Sequence, residues 1–386
     1  ENLPCEGCGG AEIQAGRKGP FSRIYGTCHK LRGGDASCHE GNCRAGLQMA
    51  LRAKDIAEML GVSTATVSLV LNNKPGVGEK RRQEIIQKIK EMDCGYMLKE
   101  QRINNGSIGF VVYKREGSIV DESPFFTYIL EGINNRINHY GYTLNFLYIN
   151  KTMPRTEQEH QIKSGGYKGL IIFAVEMYYD DLQLFKESQI PFAILDNSFQ
   201  ENDVDAVSIN NVQGTSKAVS YLCGMGHREI GYIRSKVRIN SFDERYNAFK
   251  HKLRSLGGIF NKEYVVDVGY SEEDVKRDVK KYLEGRKRLP TAFFAENDLI
   301  GCSAIRAMQE CGYRIPEDIS VVGFDNRPIS TLVEPQLTTI NVPKDIFGPA
   351  AVDLLISRLD QGREQSLKVE IGTSLVKRGS VKKITD

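Results

Sequence analysis

Tryptophan is missing from all 386 residues and histidine occurs six times. No apolar run approaches the roughly 20 residues that would cross a bilayer. Nor does the start of the chain carry the short apolar core of a secretory leader. Glycine is plentiful, yet there is no glycine-rich phosphate loop and no Gly-x-Ser-x-Gly nucleophile elbow, and the histidines do not form a metal-binding set. These absences set aside membrane-spanning and exported proteins and the common phosphate-loop, hydrolase and metalloenzyme scaffolds. A non-enzyme with no cofactor, located in the cytoplasm, is expected. Excess charge is scarce as well: 52 Lys/Arg stand against 49 Asp/Glu, a net of +3.

That small excess is unevenly placed. Residues 52–102 hold ten basic against seven acidic side chains, residues 1–51 six against five, and residues 103–386 thirty-six against thirty-seven. At this length more than one core is expected, and the basic domain is the one suited to a polyanion. Cysteine is also uneven. Cys5, Cys8, Cys28, Cys38 and Cys43 crowd the first 48 residues, whereas Cys94, Cys223, Cys302 and Cys311 are scattered and read as small apolar core residues. Cys5-x-x-Cys8 with Cys28-His29, Cys38-His39 and Cys43 admits a zinc module, but these ligands fall into no regular zinc spacing. The other reading takes residues 1–48 as a non-native or disordered Cys-rich extension, since Met49 stands just before the first patterned segment. No metal site is assigned.

Patterning begins at Lys54. Ile56, Ala57 and Leu60 share one helical face, Gly61 supplies a left-handed stop, Ser63 an N-cap, and Val67, Val70 and Leu71 a second buried stripe. Ala57, Gly61 and Val67 have the spacing of a helix-turn-helix. Thr64, Ala65, Ser68 and Leu69 remain on the outer face of the second helix. They are short enough for bases and phosphates to approach. After a turn at Asn73–Gly78, residues 79–93 read as a third helix with Ile85, Ile86, Ile89 and Met92 inward and Lys80, Arg81, Arg82, Lys88 and Lys90 in water. A helical hairpin within an ordinary core would share the first part of this pattern. The three helices together make a DNA-binding bundle at residues 49–95.

Here the chain resembles the lactose-repressor/galactose-repressor (LacI/GalR) family, through Asp55-Ile56-Ala57, Gly61-Val62-Ser63, Ala65-Thr66-Val67-Ser68, Val70-Leu71-Asn72 and Gly95-Tyr96. The resemblance implies operator contact by Ser63, Thr64, Ala65, Thr66, Ser68, Leu69, Asn72 and Lys80. One departure sits inside that set. The family usually carries arginine where this chain has Leu69, and leucine cannot read guanine bidentately, so a different operator is expected. A second departure is the linker, residues 96–107. It has neither a Pro-Asn turn nor an Ala-Arg pair for the family's minor-groove hinge helix; Leu98 or Ile103 could serve as the wedge, and a flexible linker is expected.

From Ile108 onward continuous apolar strands alternate with amphipathic helices. Strands are expected at 108–112, 143–149, 169–173, 191–195, 207–209, 230–233, 264–268, 292–295 and 319–324, with helices at 125–140, 212–225, 242–256, 272–283 and 299–311. Such strands belong to parallel sheets covered on both faces, and the series is long enough for two doubly wound lobes with a cleft at their carboxyl ends. The fold class is therefore multi-domain: an all-α helix-turn-helix domain followed, over residues 108–386, by a two-lobed α/β region for effector binding and dimerisation. The family resemblance extends here through Gly226-His227-Arg228-Glu229-Ile230-Gly231, Glu244-Arg245, Ala295-Glu296-Asn297-Asp298, Ile319-Ser320-Val321-Val322-Gly323-Phe324-Asp325-Asn326 and Leu337-Thr338-Thr339-Ile340. It implies a periplasmic-binding-protein-like effector core with Asp196, Arg245, Asn297 and Asp325 in the cleft.

Three of these residues follow apolar strands, and Arg245 opens the helix after the strand ending at Ile233. Carboxylates and an arginine fork suit vicinal hydroxyls, as a sugar presents. Phe125 and Phe126 could stack on a ring or belong to the core, and Arg245 with Asp325 could hold ligand or form a structural ion pair across the cleft. The expected protein is a sugar-responsive DNA-binding regulator, a repressor acting as a homodimer on a pseudo-palindromic operator. A solute (sugar) binding protein without a regulatory role is the alternative.

Overall fold

The computed structural model describes residues 52–92, 98, 104–122 and 125–384. The cysteine-rich stretch, Cys94-Gly95, and all of the expected linker except Leu98 and residues 104–107 lie outside the described residues. The chain divides between Glu100 and Gln101 into two units.

The first unit contains α1 (Ala53–Leu60), α2 (Thr64–Leu71) and α3 (Glu79–Glu91). Gly61 ends α1 at φ 62°, where a Cβ would be strained. Ile56, Ala57, Val67, Val70, Leu71, Ile85 and Ile89 form a separate small core. Arg82 corrects the expectation that it stays in water: it is buried, donating from Nη1 to Asn73 Oδ1 at 2.8 Å and from Nη2 to the Lys74 carbonyl. The turn between α2 and α3 has backbone oxygens to satisfy, and an arginine one turn into α3 is long enough to reach them.

The second unit holds two six-stranded sheets. The first lobe is built from β1 (Ser107–Lys114), β2 (Thr143–Asn150), β3 (Gly169–Phe173), β4 (Phe192–Leu195) and β5 (Asp205–Ile209); the second from β6 (Ile230–Ser235), β7 (Val265–Val268), β8 (Ala292–Ala295), β9 (Ser320–Asp325) and β10 (Thr338–Asn341). Two late strands complete them. β11 (Lys368–Ile371) joins the edge of the first sheet beside β5 in parallel, and β12 (Ser374–Val376) joins the second beside β10, antiparallel. The orders are β11-β5-β4-β3-β1-β2 and β12-β10-β9-β8-β6-β7. β1, β3 and β9 are almost wholly buried, as expected for parallel strands covered on both faces.

Between them lie α4 (Ser118–Glu122), α5 (Leu130–His139), α6 (Arg155–Ser164), α7 (Leu182–Ser188), α8 (Asn211–Gly224), α9 (Asn240–Ser255), α10 (Glu272–Leu283), α11 (Asp298–Glu310) and α12 (Lys344–Gln361). The helix expected at 125–140 is broken: residues Phe125–Tyr128 form a 3-10 turn before α5. α8 packs on the second lobe, whereas α12 returns to pack on α5, β3, β4 and β5 of the first. The chain thus crosses between lobes three times, at Asn210, at Val342-Pro343 and at Gly372-Thr373. Hydrogen bonds tie the first and third crossings together: Asn210 N–H donates to the Ile371 carbonyl at 3.0 Å and Thr373 N–H to Gln213 Oε1 at 2.9 Å. No described helix is long and apolar enough to cross a membrane.

Candidate functional site

In the first unit α2 carries the residues expected to read DNA. Ser63 caps it, its Oγ accepting the Thr66 N–H at 3.0 Å and lying 2.8 Å from the Thr66 hydroxyl. Thr64 and Ala65 are exposed on the first turn, and α2 carries no charged side chain. At its far end Asn72 donates from Nδ2 to the Ser68 carbonyl at 2.9 Å. Leu69 is half-buried: a Cβ added to Gly76 would lie 3.2 Å from its Cδ1, so the leucine leans on the following turn. Lys80 is exposed at the start of α3 and makes no ion pair among the described residues. Hydroxyls, a helix N-terminus and cations beyond it are groups that hold phosphate while short side chains meet base edges.

The cleft of the second unit is assembled from the carboxyl ends of both sheets. Phe173 ends β3, Asp196 follows β4, Tyr270 follows β7, Asn297 follows β8, and Asp325 ends β9. With Phe125, Phe242, Arg245 and neighbouring side chains they line a narrow space of about 30 Å³, which a ligand could enter only if the lobes part. Asp196 and Asp325 hold φ of 68° and 103°, a left-handed backbone that aims each carboxyl off its strand end.

Arg245 is the hub, and it sits inside α9 instead of opening it. Nε donates to Asn211 Oδ1 at 2.8 Å, Nη1 to the Glu296 carbonyl at 2.6 Å, and Nη2 to Asp325 Oδ1 at 3.4 Å; the guanidinium lies 3.7 Å from the Phe324 ring centroid. Both partners of the Arg245–Asp325 pair belong to the second lobe, so the ion pair that was the alternative to ligand contact lies within one lobe and does not span the cleft. Asn297 is committed too: Oδ1 accepts the Ile300 N–H as the cap of α11, and Nδ2 donates to the Tyr270 hydroxyl at 2.9 Å. Asp196, from the first lobe, is different. Its carboxylate receives no hydrogen bond among the described residues. Burial pushes its pKa up to about 8, Arg245 opposing the rise and Asp325 adding to it. Burial likewise raises Asp325, with Arg245 opposing.

The two phenylalanines part company. Phe125 lines the cleft, backed by Phe347 of α12 at 6.3 Å. Phe126 turns into the core between Phe110 and Phe173, at 6.4 and 5.6 Å, because consecutive residues of a 3-10 turn face different ways. Ile119, Ser241, Phe242 and Tyr270 line the cleft but were not singled out from sequence. Their one sequence signal is position just past a strand's carboxyl end. Beneath them Glu176 holds the β1–α4 loop, its carboxylate accepting the N–H groups of Arg115, Glu116, Gly117, Ile119 and Val120 at 2.8–3.2 Å.

The family model described as bacterial regulatory proteins, lacI family, matches residues 53–95, and that of the periplasmic binding protein-like domain matches residues 219–381. The HTH-type transcriptional repressor PurR of Pasteurella multocida strain Pm70 is 30% identical over 335 residues, covering 85% of this chain and 98% of its own length. PurR of Mannheimia succiniciproducens is 31% identical over 337 residues, covering 86% and 98%. The chain belongs to the LacI family.

Solved structures agree on the fold of this LacI-family protein. The lac repressor dimer bound to operator and the anti-inducer ONPF superposes with a TM-score of 0.64 at 24% identity, covering 86% of this chain and 99% of its own. The transcriptional regulator CelR–cellobiose complex gives 0.64 at 22%, with the same coverage. A LacI family regulator from Enterococcus faecium with bound ribose gives 0.62 at 23%, covering 72% and 100%. The protein is a DNA-binding transcriptional regulator whose second domain receives a small-molecule effector. The DNA-binding match at residues 53–95 sets aside the alternative of a solute-binding protein without a regulatory role.

Proposed function

We propose that this LacI-family protein is a cytoplasmic, non-enzymatic repressor that binds a pseudo-palindromic operator as a homodimer and changes its operator affinity when a neutral, hydroxyl-rich compound of carbohydrate type fills the cleft. Residues 49–95 supply the DNA-binding bundle, with Ser63, Thr64, Ala65, Thr66, Ser68, Leu69, Asn72 and Lys80 at the operator; residues 96–107 form the linker and 108–386 the effector domain. The observation that carries the effector class is the Asp196 carboxylate, placed in the cleft with no donor of its own. A carboxyl in that condition, mostly protonated near neutral pH and ionised above about 8, pairs with ligand hydroxyls in either form, while Phe125, Phe173 and Phe242 offer ring faces. An anionic ligand would meet Asp196 and Asp325 together. Support for the homodimer comes from β2, an edge strand of the first sheet that leaves Phe146 and Tyr148 exposed. Closure of the lobes about three crossings gives the effector a two-state element to bias.

Calorimetric titration of the full chain against neutral sugars, nucleosides and sugar phosphates tests the class, followed by operator binding with each hit. Saturable binding of a neutral sugar that shifts operator affinity is expected. Tight binding confined to phosphorylated compounds would refute it.

A further inference from the structure

Arg82 departs from the other cations of α3. Lys80, Arg81, Lys88 and Lys90 are exposed, whereas Arg82 is buried and pairs with no carboxylate among the described residues. Its guanidinium goes instead to neutral acceptors of the turn after α2, the Asn73 side-chain oxygen and the Lys74 carbonyl. A cation there also meets the negative end of the α2 dipole, and α2 has no basic side chain of its own to do so.

That turn is tied to Leu69. The Lys74 N–H donates to the Leu69 carbonyl at 2.8 Å and the Asn73 N–H to the Val70 carbonyl at 3.1 Å, closing the end of α2 over a left-handed Asn73 at φ 51°. Gly76 then approaches the leucine side chain so closely that an added Cβ would lie 3.2 Å from Cδ1. Leu69 is therefore held at two points, its carbonyl and its Cδ1, by a turn that Arg82 holds from beneath. Lys74, Pro75 and Gly76 are exposed on their other side. Without the guanidinium this glycine-bearing turn has little to keep it in one conformation. Leu69 would then lose the wall that selects its rotamer.

We propose that Arg82 is a positioning residue for operator recognition: through the turn from Asn73 to Gly76 it sets how Leu69 meets the base edge, so sequence preference at that base pair depends on a side chain that touches no DNA. This rests on the placement of α2 at the operator. Held against Gly76, Leu69 presents a fixed apolar surface, which suits a thymine methyl group. The first turn of α2 is independent of the brace, because the Ser63 cap orders Thr64 and Ala65. A loosened turn then removes discrimination at one base pair of each half-site and leaves the others as they were.

The test is selection from random DNA by the full chain, followed by affinity measurements over a range of salt, for the parent, Arg82→Met and Asn73→Gly. Methionine keeps a long apolar stem and removes both donors. Glycine removes the Asn73 acceptor and adopts φ 51° without strain, so this second variant loosens the brace in a fold that keeps Arg82. The parent is expected to prefer one thymine-bearing pair under Leu69 by about fivefold or more, the low end of what a mismatch costs, and both variants by less than about twofold. The pairs read by Thr64 and Ala65 should keep their preferences. The slope of log affinity against log salt should match that of the parent, since a residue that neutralises no phosphate releases no counterion. In a Leu69→Ala background Arg82→Met should alter the motif no further, as for a residue acting through Leu69. A slope shallower by about 0.9 would make Arg82 a phosphate ligand and overturn the inference. An unchanged motif in both variants, whether or not affinity falls for all sequences alike, would reduce the role to folding and overturn it too. A parent that selects no motif at all would remove the placement of α2 together with the inference.

Discussion

Replacing Asp196 by asparagine should stabilise the unliganded effector domain and weaken effector binding at the same time. Burial raises this carboxyl from an ordinary value of 3.8 to about 8, so the folded chain holds a proton that the unfolded chain has released between those values. Stability must therefore fall as pH rises through that window, because the native state binds more protons than the unfolded state. Above pH 8 both forms are ionised and the cost is complete; below about 4 both are protonated and it vanishes. At 1.36 kcal/mol per pK unit the displacement sets a ceiling of about 6 kcal/mol. Asp196 is only partly shielded from water, so a gain of about 1–3 kcal/mol is expected, roughly 2–6 °C in Tm for a domain of this size. Asparagine keeps the shape and tolerates φ 68° at least as well as aspartate. Thermal melts followed by circular dichroism from pH 5 to 9 should show the Asp196→Asn advantage growing with pH. Effector affinity should drop roughly 5- to 150-fold, the loss of one or two charge-assisted hydrogen bonds. A variant less stable than the parent at pH 8.5 would refute the reasoning, since the carboxylate would then be serving the fold.

Arg245→Ala should behave in the opposite sense, costing about 3–5 kcal/mol because it strands the Asp325 carboxylate and the Glu296 carbonyl in a buried site; adding Asp325→Asn should recover part of that loss, and a strictly additive double variant in denaturant melts would exclude the pair. Ser63→Ala removes the cap of α2 and should lower the stability of the DNA-binding unit by about 1 kcal/mol, read as a lowered first transition in urea. Leu69→Arg should add guanine at one position of each half-site, worth about 1–3 kcal/mol, at the expense of the leucine's packing on Gly76; selection from random DNA that returns an unchanged motif would count against α2 as the reading helix. Lys80→Ala should weaken all sequences alike and make the slope of log affinity against log salt shallower by about 0.9 for each phosphate it neutralises, whereas a changed sequence preference would place Lys80 at a base.

The local parts of this protein were legible because their signals are local. Gly61, Ser63 and the apolar stripes of Ile56, Val67 and Val70 lie within one or two helical turns of one another, so backbone preference and periodicity place α1 and α2 without a tertiary partner. The buried strands β3 and β8 announced themselves in the same way, as short continuous apolar runs. The family resemblance named Asp196, Arg245, Asn297 and Asp325 for the cleft, three of them just past such strands, and all four do meet there.

What sequence could not supply is everything that depends on the chain's return. α12, β11 and β12 decide which lobe each late segment joins, and their polar or short patterns carry no address; only docking against α5, β5 and β10 assigns them. The same holds for Arg82, whose partners lie in a preceding turn, and for Glu176, whose five amide donors are 56 to 61 residues away. It holds also for the division of labour in the cleft. Arg245 and Asn297 are bound to their own lobe by hydrogen bonds that only the folded chain creates, and Asp196 is left without a donor. Sequence by itself places the strand ends, because those are set locally; tertiary packing decides which side chains reach the cleft and which of them remain free to hold a ligand, because buried polar groups take whatever partner the fold brings within reach.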